Sequence, residues 1–229
     1  MTRLLFATGN KAKLAQLAFV ASIVAPEVEV LSARTLYGDL ARYEEQGQTV
    51  SEIARRGALE VAARVSEAVL AEDTGFFVDA LAGQPGIEAG RYLISEGRAG
   101  LLQRLQGASS RRATVSSALC YATPSGHGFE WLNEIHGTVS EEERFSSDYP
   151  SWVAPSEPGG PGGGYNAIFV PDGQERTLAE IAPSEALGWS YRERNFEQAL
   201  NLLAPLLRPV GIRDELRSEL PKLAGFTAF

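Results

Sequence analysis

One short loop and three separate carboxylates of this chain are residue types able to handle a polyphosphate. Thr8-Gly9-Asn10-Lys11-Ala12-Lys13 follows the apolar run Leu4, Leu5, Phe6 and Ala7, and precedes Leu14, Leu17, Ala18, Ala21 and Val24 at helical spacing. A strand, a tight loop and a helix in that order leave backbone N–H groups at the positive end of the helix, where an anion is stabilised. Lys11 and Lys13 add point charges there, and the chain has only one further lysine, Lys222. An ordinary strand-to-helix turn with solvated lysines is the alternative reading of the same six residues.

The three carboxylates come later in the chain. Glu44 precedes Gly47, Glu52 opens a helix, and Asp73 is followed by Thr74-Gly75. A magnesium ion bridging phosphates needs only one or two carboxylates, with water and substrate oxygens completing its shell. Each of these acids taken singly also fits a solvated surface charge, and Glu52 fits the first turn of a helix. Gly162-Gly163-Gly164-Tyr165-Asn166 can bring backbone close to a ligand with Tyr165 packed on it, or can be a hinge with a core aromatic. Ser190-Tyr191-Arg192 supplies a hydroxyl, a phenol and a forked donor suited to a base edge or a phosphate. The run Arg192, Glu193, Arg194 is equally a solvated helix face.

The elements that must position these groups follow from periodicity. Val28–Leu31 predicts a second strand and Ser51–Glu67 a helix with Ile53, Leu59, Val61 and Val65 on one face. Val69-Leu70-Ala71 leads into Glu72-Asp73, which places the acidic pair at a strand end before Phe76-Phe77-Val78 resumes the extended pattern. Arg98–Leu105 reads as a short helix, Ala113–Ala122 and Phe129–Val139 as a hairpin, Ala167–Val170 as a strand and Trp189–Leu207 as a helix. Arg144–Gly164, rich in proline and glycine, predicts a functional loop. Strands alternating with helices predict an α/β fold.

Bulk properties restrict the partners. A net charge of −8 argues against a nucleic-acid scaffold, which needs a basic face. No window approaches the roughly 18 apolar residues of a membrane span, and the opening apolar run is too short for a signal-peptide core. A soluble, cytoplasmic protein is therefore expected. Cys120, the one cysteine, lies in a strand-like run and reads as a buried small hydrophobe; His127 and His136 lack zinc-ligand spacing.

In order along the chain, these segments resemble the Ham1-like family of inosine triphosphate pyrophosphatases. The family's T-G-N-x-x-K is present as Thr8 to Lys13, its A-D-D-S-G-L as Ala71-Glu72-Asp73-Thr74-Gly75-Phe76, and its V-D-A-L-x-G-x-P-G as Val78 to Gly86. Its G-Y-D-P-I-F corresponds to Gly164-Tyr165-Asn166-Ala167-Ile168-Phe169, its T-F-A-E-L to Thr177–Ile181, and its S-H-R to Ser190-Tyr191-Arg192. The resemblance runs from about Leu4 to Leu203 and leaves a variable tail after about residue 208 of what is expected to be one domain spanning 1–229.

The resemblance implies an elongated, two-lobed mixed-sheet fold with a central cleft, a homodimer, and magnesium-dependent hydrolysis of a nucleoside triphosphate to monophosphate and diphosphate. It places Thr8, Gly9, Asn10, Lys11 and Lys13 on the phosphates, with Lys13 and Asp73 as catalytic groups, and Glu44 and Asp73 on magnesium. Thr74, Gly163, Gly164, Tyr165, Asn166, Ser190, Tyr191 and Arg192 are implied as further substrate contacts. Five positions depart from the pattern. Asn166 replaces an aspartate, Ala186 a lysine, Tyr191 a histidine and Ala167 a proline, while Gly57 stands where a phosphate-side lysine is usual, with Arg55 or Arg56 as substitutes. Four of the five concern base or substrate contacts, which predicts a base preference altered from inosine or xanthosine. A nucleotide-binding protein that no longer hydrolyses is the alternative.

Overall fold

The computed structural model describes residues 2–146, 163–182, 185, 189–207 and 227–229. The fold is α/β with a mixed sheet, as expected. Its strands are β1 (Thr2–Phe6), β2 (Val28–Ser32), β3 (Val69–Val78), β4 (Pro85–Gly86), β5 (Arg112–Ala122), β6 (Gly128–Val139), β7 (Phe169–Pro171) and β8 (Thr227–Ala228). The helices that concern the site are α1 (Lys11–Val24), α2 (Ala33–Tyr37), α3 (Val50–Val65), α4 (Ala89–Ser95), α5 (Gly97–Arg104) and α6 (Tyr191–Leu207). Hydrogen bonding follows the order β2-β1-β3-β5-β6-β7, with β4 added to β3 and β8 to β6. No helix among the described residues is long and apolar enough to cross a membrane.

The chain divides into two compact units, neither continuous in sequence. The first comprises 1–73, 118–132 and 192–229; the second comprises 74–117 and 133–191. In the first, β1 lies between two parallel neighbours, paired with β2 from Thr2↔Val28 to Phe6↔Ser32 and with β3 at Leu5↔Val69 and Phe6↔Leu70. Strands parallel to one another are buried on both faces, which explains why β1 is a continuous apolar run without alternation. Leu4, Leu5 and Phe6 are buried there, and the Phe6 ring meets Phe196 of α6 edge to face at 5.8 Å.

Helix α1 starts where Asn10 caps it, its Oδ1 accepting from Ala12 N at 2.9 Å and Lys13 N at 3.2 Å. Helix α3 starts at Thr49, whose hydroxyl accepts from Glu52 N at 3.1 Å, while Glu52 Oε2 accepts from Gln48 N at 2.7 Å. Glu52 is thus a capping residue, the alternative its sequence position allowed.

In the second unit Phe76, Leu93, Leu101, Leu105, Val139, Ile168 and Phe169 form one core. Each large apolar side chain buried there contributes about 1.5–3 kcal/mol. The expected strand at 167–170 shortens to Phe169–Pro171, because the carbonyl of Tyr165 accepts from the amides of Ile168 and Phe169 and holds 165–168 in a turn. The acidic pair was expected at a strand end, yet β3 runs unbroken through Glu72 and Asp73. Flanking strands supply the burial that two successive acids cannot. Cys120 is buried as expected, and burial pushes its thiol well above the ordinary range.

Candidate active site

The chain order β2-β1-β3 reverses direction across the sheet at β1, since β2 and β3 flank it on opposite sides. Open α/β sheets place ligands outside the carboxyl ends of strands at such a switch point. The loop Thr8–Asn10 leaves β1 there and enters α1 directly. Thr8 Oγ1 accepts from Asn10 N at 3.1 Å and Asn10 caps the helix. Both residues therefore shape the loop with their oxygens, keeping the Thr8 O–H and the Asn10 amide as donors. Lys11 is exposed at the first position of the helix.

Lys13 turns inward. Its Nζ lies 2.8 Å from Glu72 Oε2 and donates to the Glu72 carbonyl at 3.1 Å. Arg192, at the start of α6, brings its Nε to 3.2 Å from the other carboxylate oxygen of Glu72 and donates from Nη1 to Gln16 Oε1 at 2.8 Å. The Glu72 carboxylate is fully buried between the two cations. Gln16 stands one turn after Lys13, so both face β3 from the same side of α1. Arg192 and Glu193, open to reading as a solvated helix face, are in fact packed inward. Burial pushes the Glu193 carboxyl upward, with the Arg192 charge pulling weakly against it.

Glu72, Gln16 and this buried bridge were not singled out from sequence. No local pattern reports them, because Lys13, Glu72 and Arg192 are brought together only by the stacking of α1 and α6 on β3. Successive strand side chains alternate in direction, so Asp73 points away from the face that Glu72 occupies. Asp73 is 8% exposed. Its charge, together with those of Glu45 and Glu72, bears on the phenol of Tyr43, which is raised first by burial and then by these acids. Tyr43 thus lies within electrostatic reach of Asp73. Glu44 is exposed and accepts from Gln46 Nε2 at 2.6 Å.

Among the described residues no group of three or more His, Cys, Asp or Glu forms a closed metal cage. The carboxylates of Asp73 and Glu44 are oxygen donors, the type suited to a hard cation that keeps waters and substrate oxygens in its shell. The ring of Tyr43 also explains Gly57. A Cβ on Gly57 would lie about 2.5 Å from Tyr43 Cζ, so the phenol fills the room a side chain at 57 would occupy. Both arginines suggested as substitutes make ion pairs. Arg55 holds Glu130 at 2.7 Å and lies over the Phe229 ring, while Arg56 holds Glu60 at 2.6 Å.

In the second unit Gly163 and Gly164 both adopt left-handed backbone, at φ 53° and 56°, which lets the chain turn before Tyr165. Tyr165 is buried, stacked on Phe76 at 4.4 Å with its hydroxyl donating to the Ala89 carbonyl at 2.9 Å. That is the core aromatic of the hinge reading: the ring and hydroxyl are already committed. Arg98, also missed from sequence and 2% exposed, donates to the Gly164 carbonyl at 2.9 Å and to Glu143 at 2.7 Å, fixing the turn. Two departures from the family pattern meet here. The Tyr191 hydroxyl donates to Asn166 Oδ1 at 3.2 Å. Thr74 is half-buried and Ser190 buried in this unit. Ala186, most of the 144–164 loop, and the tail from 208 to 226 lie outside the described residues.

A strand-to-helix loop carrying lysines at a switch point, with an acid pair on the neighbouring parallel strand, is the layout of an α/β phosphate-handling site. The Ham1 family model matches residues 4–202, and the chain belongs to the Ham1 family. A curated relative from Methanopyrus kandleri, named dITP/XTP pyrophosphatase, is 32% identical over 86% of this chain and 93% of its own length. One of the same name from Prochlorococcus marinus is 37% identical over 71% of this chain and 74% of its own. Among solved structures, a HAM1 protein from Coxiella burnetii shares the fold with a TM-score of 0.71 at 24% identity, covering 89% of this chain and 98% of that one. A nucleoside-triphosphatase, dITP/XTP pyrophosphatase, from Mycobacterium abscessus matches with a TM-score of 0.61 at 29% identity, covering 90% of this chain and all of that one.

Proposed function

We propose that this chain is a nucleoside triphosphate pyrophosphohydrolase that cleaves NTP and water to NMP and diphosphate. The observation that carries the reading is the acid pair Glu72 and Asp73 on β3 beside the lysine-bearing loop of β1. Relatives named dITP/XTP pyrophosphatase support it. Thr8, Gly9, Asn10 and Lys11 bind the phosphates through backbone amides, the hydroxyl and amide donors, and the ammonium charge. Lys13, anchored by Glu72, presents its remaining donor capacity to the same oxygens. Asp73 accepts the proton of the attacking water as its oxygen bonds to the α-phosphorus and the bond from that phosphorus to the leaving diphosphate breaks. Glu44 and Asp73 would hold a magnesium ion, which when bound supplies positive charge to the phosphate oxygens.

The segment around Asn166 departs from the family pattern, whereas Thr8–Lys13 keeps it. Asn166 gives its oxygen to Tyr191 and keeps two amide N–H donors, where a carboxylate would only accept. A pocket built to pair with a base edge discriminates steeply when donor and acceptor are exchanged. The base preference is therefore shifted from that of the inosine and xanthosine nucleotides, and the enzyme works as a cytoplasmic homodimer. The test is release of diphosphate from a panel of purine and pyrimidine triphosphates with and without Mg2+, beside Asp73→Asn. The expected result is Mg2+-dependent release, lowered at least about 100-fold in Asp73→Asn. Tight binding with no release by the wild-type protein would favour a non-hydrolytic nucleotide binder instead, and a clear inosine or xanthosine preference would remove the shifted-base reading.

A further inference from the structure

Resting on the hydrolase reading above, we propose that Arg34 is a substrate-binding residue of this site, gripping the polyphosphate tail from the side of β2. Strand β2 runs parallel to β1 with Ser32 opposite Phe6, so the chain leaving β2 emerges beside the chain leaving β1. Arg34 is the second residue of α2, which begins immediately after β2. Its side chain lies flat across Gly9. A Cβ at Gly9 would collide with Arg34 Nη1 and would stand 3.1 Å from Cζ and 3.5 Å from Cδ. The absence of a side chain at Gly9 is thus what lets the guanidinium reach the loop between β1 and α1.

Most of the other cations near this loop already contact carboxylates. Lys13 and Arg192 both contact the buried Glu72 carboxylate, Arg55 holds Glu130, and Arg56 holds Glu60. The space over Gly57 is filled by Tyr43 rather than by a cation. Arg34 is exposed and, among the described residues, forms no ion pair. Its charge nonetheless reaches into the site, where it pulls the Tyr43 phenol downward against Glu45, Asp73 and Glu72. Lys11 and Arg34 are then the two cations on this rim not committed to a carboxylate among the described residues. A guanidinium presents paired N–H donors matched to two phosphate oxygens, which an ammonium cannot do.

The experiment compares wild type, Arg34→Ala, Arg34→Gln and Arg34→Lys in steady-state diphosphate release, with Mg2+, from whichever triphosphate of the panel the wild type cleaves fastest. Binding of inorganic tripolyphosphate without metal is followed by calorimetry in parallel. Arg34→Ala and Arg34→Gln are expected to raise KM about tenfold with kcat changed less than about twofold, and to weaken tripolyphosphate binding by the same factor. Arg34→Lys restores part of the loss, and the difference between wild type and Arg34→Ala narrows at high salt, as it does for an exposed charge. Circular dichroism identifies a variant that fails to fold, and the remaining variants then decide. Unchanged KM and unchanged tripolyphosphate affinity in folded variants overturn the assignment, as does a loss confined to kcat. If the wild type releases no diphosphate from any triphosphate, the hydrolase reading fails, and the tripolyphosphate titration still decides for or against Arg34.

Discussion

Replacing Glu72 by Gln isolates the buried bridge between Lys13 and Arg192. The carboxylate is fully buried, 2.8 Å from Lys13 Nζ and 3.2 Å from Arg192 Nε, whose side chains are only 16% and 12% exposed. Glutamine keeps the size and removes the charge, leaving two cations largely out of water without their counterion. Breaking a buried pair by removing one partner costs about 3–5 kcal/mol. Lys13 retains the Glu72 carbonyl and Arg192 retains Gln16, so the lower end, about 3 kcal/mol, is expected. For a chain of this length that lowers Tm by about 6–12 °C. Thermal unfolding by circular dichroism reads this directly, and KM for a triphosphate should rise in step as Lys13 loses its anchor. Asp73→Asn, the same chemical change one residue along, should cost far more activity and less stability. A Glu72→Gln protein melting within about 2 °C of wild type, with unchanged KM, would refute the anchoring role.

Asn166→Asp keeps an oxygen to accept from Tyr191 but trades amide donors for a second acceptor. It should leave Tm nearly unchanged while moving the ratio of kcat/KM between bases by about 10- to 100-fold, and equal ratios in both proteins would show that Asn166 does not read the base. Glu193 gives a pH prediction. Burial raises its folded value above that of the unfolded chain, so the native state holds the proton longer, and stability is lost as pH rises upward from the ordinary glutamate range. Glu193→Gln should therefore melt higher than wild type at pH 8 and converge with it near pH 5; parallel curves over that interval would contradict the burial argument.

Much of the fold was legible in the sequence because its signals are local. The helical spacing from Leu14 to Val24, the apolar stripe of 51–67 and the paired β runs at 113–122 and 129–139 each appear within a few residues of the expected bounds as α1, α3, β5 and β6. The ordered motifs identified the family, because Thr8–Lys13 and Ala71–Phe76 carry spacings that the chain itself displays. Local signals failed where burial comes from elsewhere. Glu72-Asp73 looks like a strand end by composition, yet neighbouring strands and two distant cations carry the extended chain straight through it.

The sequence by itself determined which residues could touch phosphate, through residue type and the order of strand, loop and helix. Only the tertiary structure decided how those charges are shared. Lys13 and Arg192 are joined by Glu72 across 59 and 120 positions of chain, Tyr165 is committed to the core, and Tyr191 is tied to Asn166. The physical reason is that Coulomb and hydrogen-bond energies depend on separations of a few ångströms, and those are set by how α1, α6 and β3 stack rather than by any spacing along the chain.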